Sequence, residues 1–326
     1  MRRLGLFCVI LSLLFCSGCW DGQDPEERLY VFSVGVSQQE DGSLLFSFAP
    51  AALAEGEEKA IHVTAGSFSQ AAKAAERLSS RTPFLGQLKA IVLDESVLRQ
   101  PKLLAKLLDE AERWGGISSR AVVLAGRNTQ ACTDALAQEE SGFSLWEYFR
   151  NGGEGGAELD LELLENTLVA CKQTAVLPFL SLTEEEVRVT GAVLLCADGG
   201  VVPFDEEAEI GWRLLSGKGE GEIITLDNGF VFSVQQEKTV CKEDLMVLTV
   251  KVTLRQAKAG ALSDETALQQ IQEALSIRIK QLVEHTIETT AAADPDGLWA
   301  VLPRQCQGKL PQIQADVEVI STGQME

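Results

Sequence analysis

Cys19 is the side chain whose surroundings imply the most chemistry. Arg2 and Arg3 open the chain, residues 4–15 form an unbroken apolar run (LGLFCVILSLLF), and Cys16-Ser17-Gly18-Cys19-Trp20-Asp21 follows. A basic start, an apolar core and a small-residue exit are the three parts of a secretory signal. The run of twelve residues makes about 18 Å of helix, short of a bilayer core of about 30 Å. Ser17-Gly18-Cys19 reads as the end of a bacterial lipobox, in which the Cys thiol takes a diacylglyceryl group before cleavage on its amino side. Cys16 stands three places earlier, where Leu is usual. No other run of eighteen or more apolar residues offers an anchor, so Cys19 is the expected lipidation site. Residues 1–18 are then a signal peptide and 19–28 a lipidated tether. Two acyl chains hold a protein at a membrane without any span. The competing reading is a plain secretory signal, with Cys19 an ordinary thiol.

Other reactive side chains are sparse. The chain has two histidines, His62 in the alternating stretch IHVT and His285 in a long helical pattern. They are the one route to a His-based nucleophile relay, and lone histidines more often serve structure. The acidic runs Glu184-Glu185-Glu186 and Asp205-Glu206-Glu207 lack the alternating oxygen ligands and central Gly of a calcium loop, and read as solvated faces. Residues 152–156 (GGEGG) are glycine-rich but carry acid and no Lys. There is no phosphate loop, GxSxG, HExxH or dinucleotide fingerprint. A body beyond the cytoplasmic membrane would also not meet cytosolic ATP or NAD(P)H. The sequence nominates no catalytic, cofactor-binding or metal-binding residue, and the expectation is that the protein is not an enzyme.

The formal charge is −20, and removing Arg2 and Arg3 makes the remainder more acidic still. Such a surface repels phosphate backbones and anionic headgroups, so nucleic acid is not an expected partner. Beyond the signal lie Cys132, Cys171, Cys196, Cys241 and Cys306, with no CxxC or Cys/His cluster to hold zinc. Their spacings name no disulfide pair; one or two bonds stay open, and mostly buried free thiols are expected.

The elements that must position these residues alternate in type. Residues 29–36 and 43–48 read as a hairpin about Asp41-Gly42. A strand at 61–64, a helix at 69–78 capped by Ser67 or Ser69, a strand at 87–94, a helix at 100–114, a strand at 118–125 and a helix at 127–138 follow. Next come a helix from 160 to about 174, a less regular stretch from Pro178, strands at 187–196, 222–234, 246–256 and 314–320, and a short helix at 210–215. The longest helix spans 265–289, where Leu268, Ile271, Leu275, Ile279 and Leu282 mark one apolar face. The fold class is mixed α/β (α+β), with an N-terminal α/β region at 29–185 and a C-terminal α/β domain at 186–326.

Several stretches together resemble the Ger(x)C lipoproteins, the C subunits of nutrient germinant receptors in endospore-forming bacteria. They are Gly18-Cys19-Trp20-Asp21 and Val34-Gly35-Val36, then Thr64-Ala65-Gly66-Ser67 with Ala71 and Ala72, and Phe84-Leu85-Gly86-Gln87-Leu88-Lys89 running into Ile91-Val92-Leu93. Gly191-Ala192-Val193, Gly211-Trp212, Leu215, Gly217-Lys218, Asp294, Gly297 and Trp299 continue the series. The family usually has His where Gln87 stands, so no protonation role is expected there. The resemblance implies a three-domain mixed α/β protein, anchored outside the spore inner membrane and assembled with the multi-span B and larger A receptor subunits. The apolar segments 87–94 and 187–196 are core or support such an interface. The rival class is an extracytoplasmic solute-binding lipoprotein, which would bind a small ligand by itself. An envelope hydrolase ranks last.

Overall fold

The computed structural model describes residues 25–51, 59–138, 145, 147–149, 160–183, 186–242, 244–257, 265–295, 297–302, 306 and 311–321. Cys19, the 152–156 loop and Glu184 and Glu185 lie outside the described residues. β1 (Arg28–Gln38) and β2 (Leu44–Pro50) form the expected hairpin, in which Gly42 adopts φ 84° and the Asp41 carboxylate accepts the Ser43 N–H at 2.8 Å. β3 (Ile61–Ala65) adds to β2 and leads into α1 (Phe68–Glu76). Ser67 caps α1 through the Gln70 N–H. The N–H groups of Phe68 and Ser69 both donate to the Glu110 carboxylate, so a helix N-terminus that would otherwise need water is satisfied from another helix.

The chain continues through β4 (Thr82–Phe84), β5 (Ala90–Asp94), α2 (Glu95–Leu98), α3 (Pro101–Arg113), β6 (Val122–Gly126), α4 (Thr129–Gln138), α5 (Leu161–Glu165), β7 (Ala175–Thr183), β8 (Glu186–Leu195) and β9 (Val201–Pro203). One sheet runs β3-β2-β1-β5-β6-β7-β8-β9, with β4 on the start of β1. β1, β5, β6 and β7 pair in parallel, while the flanking strands are antiparallel. Ile91, Leu93, Val123 and Ala125 pack under α1, α2, α3 and α5 on one face. Val92 and Leu124 pack under Cys132 and Leu136 of α4 on the other. A parallel strand covered on both faces reads as a continuous apolar run, and Ala90 to Leu93 is buried throughout. That segment is core and offers no surface to a partner.

The second sheet, β10 (Ile223–Thr225), β11 (Val231–Lys242), β12 (Leu245–Gln256) and β13 (Gln312–Ser321), is covered by α6 (Glu206–Ser216) and α7 (Glu265–Ala293). Ile271, Leu275, Ile279 and Leu282 of α7 are buried, as their spacing predicts, and Val283 and Ile287 widen the stripe. Cys241 and Cys306 form a disulfide between the end of β11 and the segment before β13. Cys132 and Cys196 are free and buried, and Cys171 is free and exposed.

Three local expectations are corrected. The helix expected to run to residue 174 stops being α-helical at Glu165 and closes with one wide π-type turn over Asn166–Ala170. The stretch from Pro178 is regular: Pro178 lies inside β7, paired with Ala192 of β8. β6 reaches β7 only at Phe179 and Leu180, so the proline's missing N–H falls beside an open edge and just before a bulge. The single strand expected at 222–234 is β10 and β11 folded back on each other around a turn at Gly229, φ 84°.

The two halves meet in the β7–β8 hairpin. Ala175, Leu177, Val193 and Leu195 face the first core, while Val176, Ala192, Leu194 and Cys196 face the second. The expected boundary between residues 185 and 186 falls at the start of β8, the second strand of this hairpin.

Gly211 brings α6 against α7, since a Cβ there would collide with the Leu282 carbonyl oxygen and the Thr286 hydroxyl. Thr286 uses that contact to donate to the Ala208 carbonyl at 2.7 Å. Substituting Gly211→Ala is expected to lower the unfolding free energy by about 1–3 kcal/mol in urea titration, the usual cost of overpacking. An exposed control, Gly217→Asn, keeps a residue type that tolerates its left-handed φ of 72° and should cost much less.

The disulfide closes a loop between positions 65 residues apart. Cys306→Ser is expected to cost about 2–4 kcal/mol in the same titration, and a reducing agent should weaken the wild type but not this variant.

Candidate functional site

His62 occupies the arrangement its type allows. Its Nδ1 lies 2.9 Å from the Ser47 Oγ on β2, and its Nε2 lies 2.9 Å from the Asp134 Oδ1 on α4. Hydroxyl, imidazole and carboxylate are in line, as in a nucleophile relay. Ser47, however, is 1% exposed between β1 and β3, where no substrate carbonyl can approach it. The trio clamps α4 to the β2–β3 edge, and it places no nucleophile on a surface.

His285 acts as a second clamp. Its Nε2 is 2.8 Å from the Asp205 Oδ2, and Asp205 caps α6 by accepting the Ala208 N–H at 2.8 Å. The Ala208 N–H, and after it His285, hold the Asp205 carboxyl below the ordinary aspartate pKa against the opposing effect of burial. Glu207 pairs with Arg278 of α7 at 2.7 Å. The acidic run 205–207 is thus the first turn of a helix, favoured by the helix dipole, with two of its acids tied to α7.

Several further residues of the resemblance also prove to be joints. A Cβ at Gly35 would strike the Thr133 hydroxyl, so Gly35 lets β1 touch α4. Leu85 and Leu88 are buried on either side of a tight turn, and Gln87 is its exposed tip. Phe84 stands edge-on to Tyr30, with the Arg28 guanidinium 4.6 Å from its ring centre. Trp212 is buried against Phe204. The Thr174 hydroxyl, just before β7, donates to the Asp294 carboxylate, and Gly297 leaves room for that bond. Next to Trp212, Arg213 lies largely buried between the carboxylates of Glu209 and Glu222. Burial opposes its charge, and the two acids outweigh that cost and hold it cationic.

One cavity, of about 240 Å³, opens where β5 and β6 end. Glu95 and Leu98 of α2, Arg127, Phe179 of β7, Gly191 of β8 and Phe204 line it. Of these, only Gly191 was singled out from sequence, as part of a motif. The others come from segments far apart in the chain and carry no local signature. Among the described residues, no three His, Cys, Asp or Glu side chains gather as a metal site would need.

The geometry defines the class: a mixed α+β body of two helix-covered sheets, held by polar clamps and close helix crossings. Residues 21–165 match the family model described as "Spore germination protein N-terminal domain". That segment is similar to the N-terminal domain of spore germination proteins, the group its sequence resembles. A solved structure titled "Crystal Structure of the GerBC protein" shares 11% identity at a TM-score of 0.48, over 88% of this chain and 96% of that one. No curated protein matches the chain.

The Asp205 clamp gives a pH signature. A carboxyl whose folded pKa is lowered stabilises the fold fully above its unfolded pKa, and that gain is lost as pH falls through the lowered value. Asp205→Ala should therefore cost about 1 kcal/mol near neutral pH, the usual value of a helix cap. The gap between wild type and variant should narrow as urea titrations are taken below the ordinary aspartate range.

Proposed function

We propose that this chain is the lipid-anchored C subunit of a nutrient germinant receptor, acting in receptor assembly and signalling with A and B membrane subunits. It is not an enzyme in this reading. The observation that carries the proposal is the family match, which begins at residue 21, two residues past Cys19. Cys19 is the proposed lipidation site, and the body is proposed to stand on the extracytoplasmic face of the spore inner membrane. No helix among the described residues is long and apolar enough to cross a membrane, so an acyl anchor suits the described body. The Cys241–Cys306 bond supports the same side of the membrane, because disulfides persist in oxidising compartments.

The clamps suit a docking subunit better than a catalyst, because they fix elements to one another and commit both histidines to structural pairs. With Ala90 to Leu93 buried, the interface proposed for segments 87–94 and 187–196 is left to the exposed tip at Gln87 and to the outer residues of the second. There Arg188 and Thr190 alternate outward along β8.

The test is expression of the full chain in a spore-forming host beside a Cys19→Ala variant. The wild type is expected to be acylated, to stay with the inner membrane and to co-purify with a multi-span partner, while the variant is lost from the membrane. A wild type that is acylated but comes alone supports the solute-binding class instead. One that carries no lipid on Cys19 removes the anchor.

A further inference from the structure

The cavity at the ends of β5 and β6 has the chemistry of a ligand site. It lies at the carboxyl ends of the neighbouring parallel strands β5 and β6, where the chain leaves β5 for the face covered by α2 and α3 and leaves β6 for the opposite face, covered by α4. In open sheets such a switch point is where ligands settle. Leu98, Phe179, Val201 and Phe204 give it an apolar wall, and its charged lining residues are Glu95 and Arg127. At about 30 Å³ per water, its 240 Å³ hold the equivalent of about eight, which suits a molecule of similar heavy-atom count.

The charge balance selects the ligand's sign. The acids nearest the cavity are already engaged. Asp94 turns away to cap α2 through the Ser96 N–H at 3.0 Å, and Glu209 binds Arg213. Glu95 accepts from the Arg99 Nε at 3.0 Å, and this bond first of all keeps its carboxyl ionised. Arg127 is different: its ion pair with Glu95 is long at 3.5 Å, and its side chain is 77% exposed. A guanidinium loosely held beside an apolar cavity suits a planar, bidentate carboxylate.

We propose that this cavity binds a small carboxylate with a compact apolar body, the anionic group held by Arg127 and the body against Phe179 and Phe204. The proposal stands apart from the anchor and from receptor assembly, either of which could fail without touching it.

The test uses the full chain in detergent, titrated with 4-methylpentanoate, L-leucine and 4-methylpentan-1-ol, with binding read by calorimetry and ligand-observed NMR. Saturable binding of at least one of the two acids is expected, with the alcohol weaker by about tenfold or more. Arg127→Ala should weaken the acid by a similar factor, Arg127→Lys by less, and Arg113→Ala, at the exposed end of α3, not at all. If only the amino acid binds, the site takes a zwitterion; if both do, the carboxylate suffices. The proposal is overturned if neither acid binds at up to about 10 mM, if the alcohol binds as well as the acids, or if Arg127→Ala leaves binding unchanged. Because Arg127 is exposed, its variants are expected to melt as the wild type does, so lost binding would not reflect lost folding.

Discussion

The rest of the molecule depends on the period-two alternation of one hairpin. Successive side chains of β7 and β8 point to opposite faces, and here each face belongs to a different core. Leu177 and Val193 complete the core under α3, and Val176 and Leu194 complete the one under α6 and α7. Shifting the register by one residue would exchange the two sets and spoil both cores at once. The polar bond between Thr174 and Asp294 lies at the entrance to β7 and fixes the end of α7 against that hairpin. Neither half is packed independently of these two strands.

Around that hairpin the fold relies on close approach more than on bulk. Gly35 and Gly211 remove the atoms that would hold a strand from a helix or a helix from a helix, and a threonine hydroxyl fills each gap. Thr133 donates to the Thr129 carbonyl at 2.6 Å and Thr286 to the Ala208 carbonyl. The two histidines do related work at longer reach, each joining an acid on one element to another element. A protein built this way has both of its histidines and the acids paired with them committed to geometry. The loosely paired Arg127 beside an apolar cavity stands out against that background.

Much of the fold was legible because local pattern and tertiary environment agree. The α7 stripe follows from a 3.6-residue period, the β1–β2 turn from Asp41-Gly42, and the α1 cap from Ser67. The errors have a common physical origin, in that each depends on what a distant segment does. Pro178 reads as a strand breaker until β6 is seen to stop short of it. The helix from 160 reads as longer because Leu161, Leu164, Leu168 and Val169 keep a helical spacing through the π-type turn. Gly229 was not read as a reversal, so β10 and β11 were fused. The Cys241–Cys306 pair and, apart from the Gly191 motif, the cavity lining were not legible, because topology alone brings those residues together. The candidate residues His62 and His285 were legible as residues, but their buried or capping partners decide what they do.

The disulfide ties the end of β11 to the approach of β13 and encircles β12 and α7. β13 otherwise attaches to its sheet through parallel pairing with β12 and through packing on α7. A protease that cut the backbone once anywhere between the two cysteines would release nothing: the pieces would migrate together until a reductant parted them. The carboxyl-terminal strand is thereby kept on the body after a first nick.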